Sequence, residues 1–359
     1  MEKQNGFVKK ALIGILAVLV ISAAGVGFVF RNEIKTANSI QKVDDHFYVM
    51  TYHGDYGFDD FLNVGASNDA ELVEFVSRQI LKGFAIEMKT PDLSCSTFNA
   101  VTPDGDRVFG RNFDYESIVM LVYTKPDKGY RSVSMVNLAF IDGYREGGNI
   151  VEALWSKGLA MSAPYLPLDG INEKGLAVGI LQLFDPPTRQ ETGKVAITST
   201  TAIRLLLDKA ATVDEAVALL QKYDMCSSAN SCYHYQITDA AGNSVIVEYV
   251  DNEMQVLKPD GKYQAATNFY LTPGRKFNIG DGHDRYQIIL NRLRETNGIM
   301  TTREGIDLLA KARMHNVKDP QTGAICNTSW SALYNNTKKT VDLAVWQKYD
   351  KVYHYTVDE

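Results

Sequence analysis

The chain has 359 residues, 45% of them hydrophobic, and a formal net charge of −6. That supplies a sizeable core for one large domain or two ordinary ones. The acidic balance and the lack of any lysine- and arginine-rich run exclude nucleic acid as a natural partner.

Residues Ala11 to Phe30 form an uncharged apolar run, preceded by Lys9-Lys10 and followed by Arg31. Such a run, helical, reaches about 30 Å, the thickness of a bilayer's hydrocarbon core. The basic flank belongs on the cytoplasmic side, which places everything after residue 31 outside. Ser22-Ala23-Ala24 offers a small-residue cleavage site, so the run reads either as a retained anchor, which we favour, or as a removed signal peptide. Export is common to both. In an oxidising compartment Cys226 and Cys232 are close enough in sequence to form a disulfide, and two free thiols fit equally well.

Residues 32–94 look foldable rather than linker-like. Asp44 to Tyr56 is rich in aromatic residues, and Ala70 to Phe84 carries Leu72, Phe75, Val76, Ile80 and Leu81 at helical spacing. We expect this segment to pack on the body that follows it.

Cys95 then opens two short strands around an Asp104-Gly105 turn, a strong hairpin signal. One end of the hairpin carries the thiol. The other carries Arg111 and Asp114, expected as an ion pair folded back beside the sulfur. A thiolate is the nucleophile, and a neighbouring cation lowers a cysteine pKa from about 8.5. Further strands are expected at 117–123, 132–141, 233–238 and 244–250, with a hairpin over 158–183 that turns at Asn172-Glu-Lys-Gly175. Helices are expected at 200–208, 214–222, 284–295 and 304–314, the second and fourth opened by the capping boxes Thr212-x-x-Glu215 and Thr301-x-x-Glu304. The tail from 329 to 357 returns to strands. Antiparallel strands interrupted by two helical pairs point to an α+β fold of two sheets between helix layers.

Cys95, followed sixteen residues later by Arg111 within Gly110-Arg111-Asn112-Phe113-Asp114-Tyr115, resembles the cysteine branch of the N-terminal-nucleophile amide hydrolases. That group holds the choloylglycine (bile salt) hydrolases, penicillin V acylases, acid ceramidase and N-acylethanolamine acid amidase. The resemblance runs from Cys95 to the carboxyl end. It implies a four-layer αββα sandwich and a cysteine that becomes the first residue of the mature chain by self-cleavage after Ser94. It also implies that the cysteine's own α-amine serves as base. A free α-amine has a pKa of about 7.7–8.0, close to where a general base works best.

What the family implies for single residues follows from the same matches. Asp114 holds the α-amine, and Arg111 sits against the sulfur and favours its ionised form. Ala266-Thr267-Asn268 resembles the segment whose Asn donates to the oxyanion, and Asp284-Arg285-Tyr286 resembles the supporting Arg at a helix start. Asn172 to Val178 resembles the family hairpin, so Asn172 joins the substrate and oxyanion set. The next active-site position, Asn or Tyr in relatives, is Gln182 here, which departs from the bile-salt and penicillin V pattern.

No cofactor is expected, and none of the six histidines (46, 53, 234, 283, 315, 354) falls in a metal-binding pattern. The expected activity is hydrolysis of a small N-acyl amide at a linear, non-peptide C–N bond. Acyl transfer to an amine, as in the isopenicillin-N acyltransferase relatives, is the alternative. Outside that chemistry stand a Cys-His thiol protease using His283 or His234, and a non-catalytic surface binding protein.

Overall fold

The computed structural model describes residues 30–83, 94–115, 118–140, 158–318 and 325–358. The apolar run, but for its last residue Phe30, lies outside them. Among the described residues no helix is long and apolar enough to cross a membrane.

The chain opens with a helix at Arg31–Ser39 and the strands β1 (Gln41–Asp44) and β2 (Phe47–Thr51), followed by helices Phe58–Val64 and Asp69–Gln79. The last begins where the Asn68 side chain accepts from the Glu71 N–H and stops short of the expected Phe84. Lys82 and Gly83 both have positive φ, which turns the chain out of the helix, and the Gly83 N–H bonds back to the Ser77 carbonyl. Next come β3 (Ser94–Val101), β4 (Arg107–Asp114), β5 (Val119–Thr124), β6 (Ser132–Asn137), β7 (Pro167–Asn172), β8 (Ala177–Leu183) and the short β9 (Ala196–Ile197). Helices Ser199–Lys209 and Val213–Leu220 lead to β10 (Asp224–Met225), β11 (Cys232–Thr238), β12 (Ser244–Val250), β13 (Glu253–Leu257), β14 (Ala265–Ala266), β15 (Asn268–Phe269) and β16 (Gly280–Asp281). Helices His283–Glu295 and Thr302–Lys311 precede β17 (Val317–Lys318), β18 (Ile325–Cys326), β19 (Thr328–Asn335), β20 (Thr340–Val345) and β21 (Tyr353–Thr356). Thr301 and Glu304 form the expected reciprocal capping box. Thr212 caps from one side only, since Glu215 bonds the Ala211 N–H instead.

Two large sheets carry the fold. One has nine strands in the order β1-β2-β5-β6-β7-β8-β11-β12-β13, the other six in the order β14-β3-β4-β19-β20-β21. Strand alternation sorts the residues between them. Cys95, Thr97, Phe109, Arg111 and Phe113 point toward the nine-stranded sheet. Gly179 of β8 faces them so closely that a Cβ there would lie 3.2 Å from Arg111 Cδ. On the opposite face of the six-stranded sheet, Phe98, Ala100, Val108 and Leu333 pack with Ile289, Leu293, Leu308 and Leu309 of the last two helices. Gly170, on the outer face of the nine-stranded sheet, lies against Leu207 of the 199–209 helix.

The pairing is mostly antiparallel, as expected; β9 and β10 pair in parallel, and a second parallel pair is more instructive. β2 joins β5 in parallel, Phe47 opposite Val119 through Thr51 opposite Tyr123. A parallel neighbour needs a crossover; here it includes two helices and the β3–β4 hairpin of the other sheet, and it leaves β1 and β2 on the edge of the body's sheet. The same segment contributes Tyr56, Phe58, Phe61 and Phe75, all buried, around Tyr165 at ring-centroid distances of 5.7 to 6.3 Å. Each such ring contributes about 1.5–3 kcal/mol of burial. The Tyr56 hydroxyl donates to the buried Asp208 carboxylate at 2.7 Å, and Asp208 is paired with Arg204 at 2.9 Å. A bare stalk would have none of these contacts.

Candidate active site

Cys95 is the second residue of β3 and fully buried. It sits opposite Phe113, with Thr97 opposite Arg111, so Arg111 is a diagonal neighbour of the thiol on the same face. The Arg111 guanidinium is itself fully buried and lies 5.7 Å from the Phe113 ring. Its Nε donates to Asp169 Oδ2 at 3.1 Å. Neither terminal nitrogen has a conventional acceptor, and the charge acts on the adjacent Cys95 sulfur. Burial pushes the Cys95 thiol above its ordinary value, while Arg111 pulls it back toward ionisation.

The expected Arg111–Asp114 pair does not form. Residues three apart on a strand point to opposite faces, so Arg111 turns inward to Asp169 and Asp114 turns outward to Arg285. Asp169 is absent from the sequence-based expectations. It receives Arg111, Trp330 Nε1 at 3.0 Å and the Tyr334 hydroxyl. The available signal is an acid inside an otherwise apolar strand, Pro-Leu-Asp-Gly-Ile, where an unpaired charge has no place.

Asp114 stands opposite Ser94, level with the bond that joins Ser94 to Cys95. Arg285 Nη1 reaches its Oδ2 at 3.1 Å, and the Thr328 hydroxyl donates to Oδ1. Burial raises the Asp114 carboxyl above its ordinary value, with Arg285 opposing. Arg285 is the third residue of the 283–295 helix and is buried. Gly282, at φ 80° ahead of it, leaves space for the guanidinium, because a Cβ would lie 2.5 Å from Nη2.

Asn268 completes the group from β15. Its Oδ1 accepts from the Cys95 N–H at 2.8 Å and from Arg285 Nη2 at 3.0 Å, while its Nδ2 donates to the Gln182 carbonyl at 2.8 Å. Two donors on Oδ1 fix the orientation of the amide. Asn268 thus presents oxygen to Cys95, where the resemblance implies a nitrogen donor. Gln182 is brought here as expected, though its side-chain Nε2 donates to Ser231 Oγ at 2.8 Å and its main-chain oxygen meets Asn268.

Asn172 is not at the site. Its Nδ2 donates to the Leu207 and Ala210 carbonyls at the end of the 199–209 helix, and its Oδ1 accepts from the Lys174 and Leu176 N–H groups. It staples the turn. Leu176 is its partner across that turn, six residues before Gln182, and six strand residues span about 20 Å.

No Cys-His pair assembles among the described residues either. His283 stacks on Phe269 at 4.2 Å with Nε2 toward the Asn278 oxygen. His234 bonds Glu248 and the Thr267 oxygen. Cys226 and Cys232 are free and buried; the first is against the Gln190 oxygen at 3.9 Å and the second against Thr188 and Tyr270 at 3.4 Å.

The sequence profile of the linear amide C–N hydrolases, choloylglycine hydrolase family, matches residues 95–270, beginning at Cys95 itself. Residues 95–270 are thus similar to the choloylglycine hydrolase family. A curated relative, penicillin V acylase from Pectobacterium atrosepticum, is 33% identical over 123 residues, 31% of this chain. The alignment spans 31% of that relative, so about two thirds of its length has no counterpart in it. Two variants of conjugated bile acid hydrolase from Clostridium perfringens superpose on 74% of this chain and on 92% and 93% of theirs. Their TM-scores are 0.54 and 0.53 at 14% and 15% identity, a likeness of fold alone.

Proposed function

We propose that this protein belongs to the choloylglycine hydrolase family and hydrolyses linear, non-peptide amide bonds of small N-acyl amides, with Cys95 as nucleophile. One observation carries the assignment. Three different side chains hold the three polar atoms of Cys95: Asn268 its N–H, Arg285 its carbonyl oxygen, and Arg111 its sulfur. A cysteine that merely fills space needs none of them.

Self-cleavage comes first. The Cys95 thiol attacks the Ser94 carbonyl, the acyl group moves from nitrogen to sulfur, and water hydrolyses the thioester, freeing the Cys95 amine. Asp114, level with that bond, and Asn268 Oδ1 then hold the new amino group. In turnover, the amine takes the thiol proton and the thiolate adds to the substrate carbonyl. The tetrahedral oxyanion collapses to a thioester as the ammonium returns its proton to the departing amine. Water, deprotonated by the same α-amine, releases the acid and restores the thiol. Arg111 favours the thiolate against the cost of burial.

The αββα layering belongs with this function. The face between the two sheets holds the nucleophile, and the outer face supplies Asp114 and Arg285. Residues 32–94 act as a pro-segment that stays docked, and residues 11–30 export the chain and hold it to the membrane with the catalytic body outside. The uncharged run and its Lys9-Lys10 flank support that placement.

Mass spectrometry of purified protein tests the proposal together with a screen of N-acyl amides on the same sample. The expected outcome is a fragment beginning at Cys95, amide hydrolysis, and loss of both in Cys95→Ala. Full activity with the Ser94–Cys95 bond intact would falsify it.

A further inference from the structure

His234 and Glu248 are buried cross-strand neighbours on β11 and β12, one step beyond the Tyr235–Val247 pair and on the face turned toward the six-stranded sheet. His234 Nδ1 lies 2.9 Å from Glu248 Oε1, and Nε2 lies 2.6 Å from the main-chain oxygen of Thr267. Glu248 is an acceptor at every other contact. Oε1 takes the Leu271 N–H at 2.8 Å, and Oε2 takes the Thr272 N–H at 2.8 Å and the Thr272 hydroxyl.

A carbonyl oxygen can only accept, so Nε2 carries a hydrogen and donates to Thr267. Burial pushes the Glu248 carboxyl up, yet His234, Thr272 and Leu271 together hold it below its ordinary value. The pair therefore grips the 267–272 segment at both ends, His234 at the Thr267 carbonyl and Glu248 at the amides of Leu271 and Thr272. Asn268 hangs between those grips. The peptide plane that His234 fixes is the one leading into Asn268, whose Oδ1 holds the Cys95 nitrogen.

We propose that His234 and Glu248 are positioning residues for the hydrolase, a hydrogen-bonded clamp that aims the Asn268 amide at the Cys95 amino group. Neither touches the reacting atoms. Their effect passes through Asn268, and the proposal rests on the amidase function given above. A displacement of about 1 Å at a positioning group can cost about 10²-fold in rate, so a loosened clamp should act on kcat.

Two substitutions separate a clamp from a plain core contact. The amide nitrogen of glutamine occupies the place of the His Nε2, and that of asparagine the place of Nδ1. His234→Gln keeps the tether to Thr267, whereas His234→Asn keeps only the Glu248 bond. The expected result is kcat about 10²-fold lower in His234→Asn, within about fivefold of wild type in His234→Gln, and KM little changed in both. Equal kcat losses in the two variants, or a loss confined to KM, would overturn the clamp.

A second measurement needs no turnover and no His234 variant. In Cys95→Ala protein labelled with nitrogen-15 at histidine, two-bond proton–nitrogen spectra should show His234 carrying a proton on Nε2. A ring with Nε2 unprotonated would overturn the proposal even if the kinetics agreed. Should wild-type protein turn over no N-acyl amide, the amidase function fails by itself, and the ring's protonation still decides the clamp.

Discussion

Arg285 Nη1 donates a 2.6 Å hydrogen bond to the main-chain oxygen of Cys95. An arginine on a helix is thereby tied to the backbone of a strand residue 190 positions earlier, beside the Ser94–Cys95 bond. The same guanidinium pairs with Asp114 and donates to Asn268, so it braces three members of the site at once.

Arg285→Ala should therefore cost more than loss of a surface arginine would. It leaves Asp114 buried without its cation, and breaking a buried pair costs about 3–5 kcal/mol. The expected outcome is a lower urea midpoint and self-cleavage at least about 10²-fold slower, followed by gel electrophoresis over time. Wild-type cleavage kinetics in a folded Arg285→Ala protein would refute this bracing role.

The pro-segment should remain attached after cleavage. β2 is hydrogen-bonded along β5, and the rings around Tyr165 would face water if it left. We expect two chains that co-elute under native conditions and separate only in denaturant, with an intact mass equal to their sum by native mass spectrometry. A catalytic fragment running alone and fully active would contradict this.

What the sequence made legible was local. The Cys95 hairpin, the Thr301–Glu304 box and the placement of Asn268 and Arg285 beside Cys95 all rest on motifs only a few residues long. Partnerships across the sheets were not legible, because no local pattern says which inward-facing acid meets which inward-facing base. Arg111 and Asp169 are 58 residues apart and meet only because β4 and β7 lie in facing sheets. Asn172 misleads for a different reason. An Asn at a turn bonds neighbouring main-chain groups, and that local chemistry uses the side chain the motif match assigned to substrate.

Asp169→Asn should expose this missed partnership. The neutral amide leaves Arg111 buried without a counter-charge while roughly preserving the shape contacted by Trp330 and Tyr334. Arg111 is then free to swing from its place beside the sulfur. We expect kcat to fall by about 10–10²-fold, with the protein still folded by circular dichroism. Unchanged kcat would show that Asp169 serves the core only.

Asp208 offers a pH signature at the pro-segment contact. Burial lifts its carboxyl to about 6 against the pull of Arg204 and the Tyr56 hydrogen bond. A carboxyl whose folded pKa is raised holds its proton more tightly when folded. Its contribution to stability is therefore complete below the ordinary value of 3.8 and is lost as pH rises through about 6. At about 1.4 kcal/mol per unit, that window is worth about 3 kcal/mol. Asp208→Asn removes the titration. Both proteins are best compared in the uncleaved Cys95→Ala background by urea unfolding. The stability of the protein that retains Asp208, relative to its Asp208→Asn counterpart, should fall between about pH 4 and about pH 7. Parallel curves for the two proteins across that range would mean that Asp208 titrates at its ordinary value and that the buried contact with Tyr56 does not govern its charge.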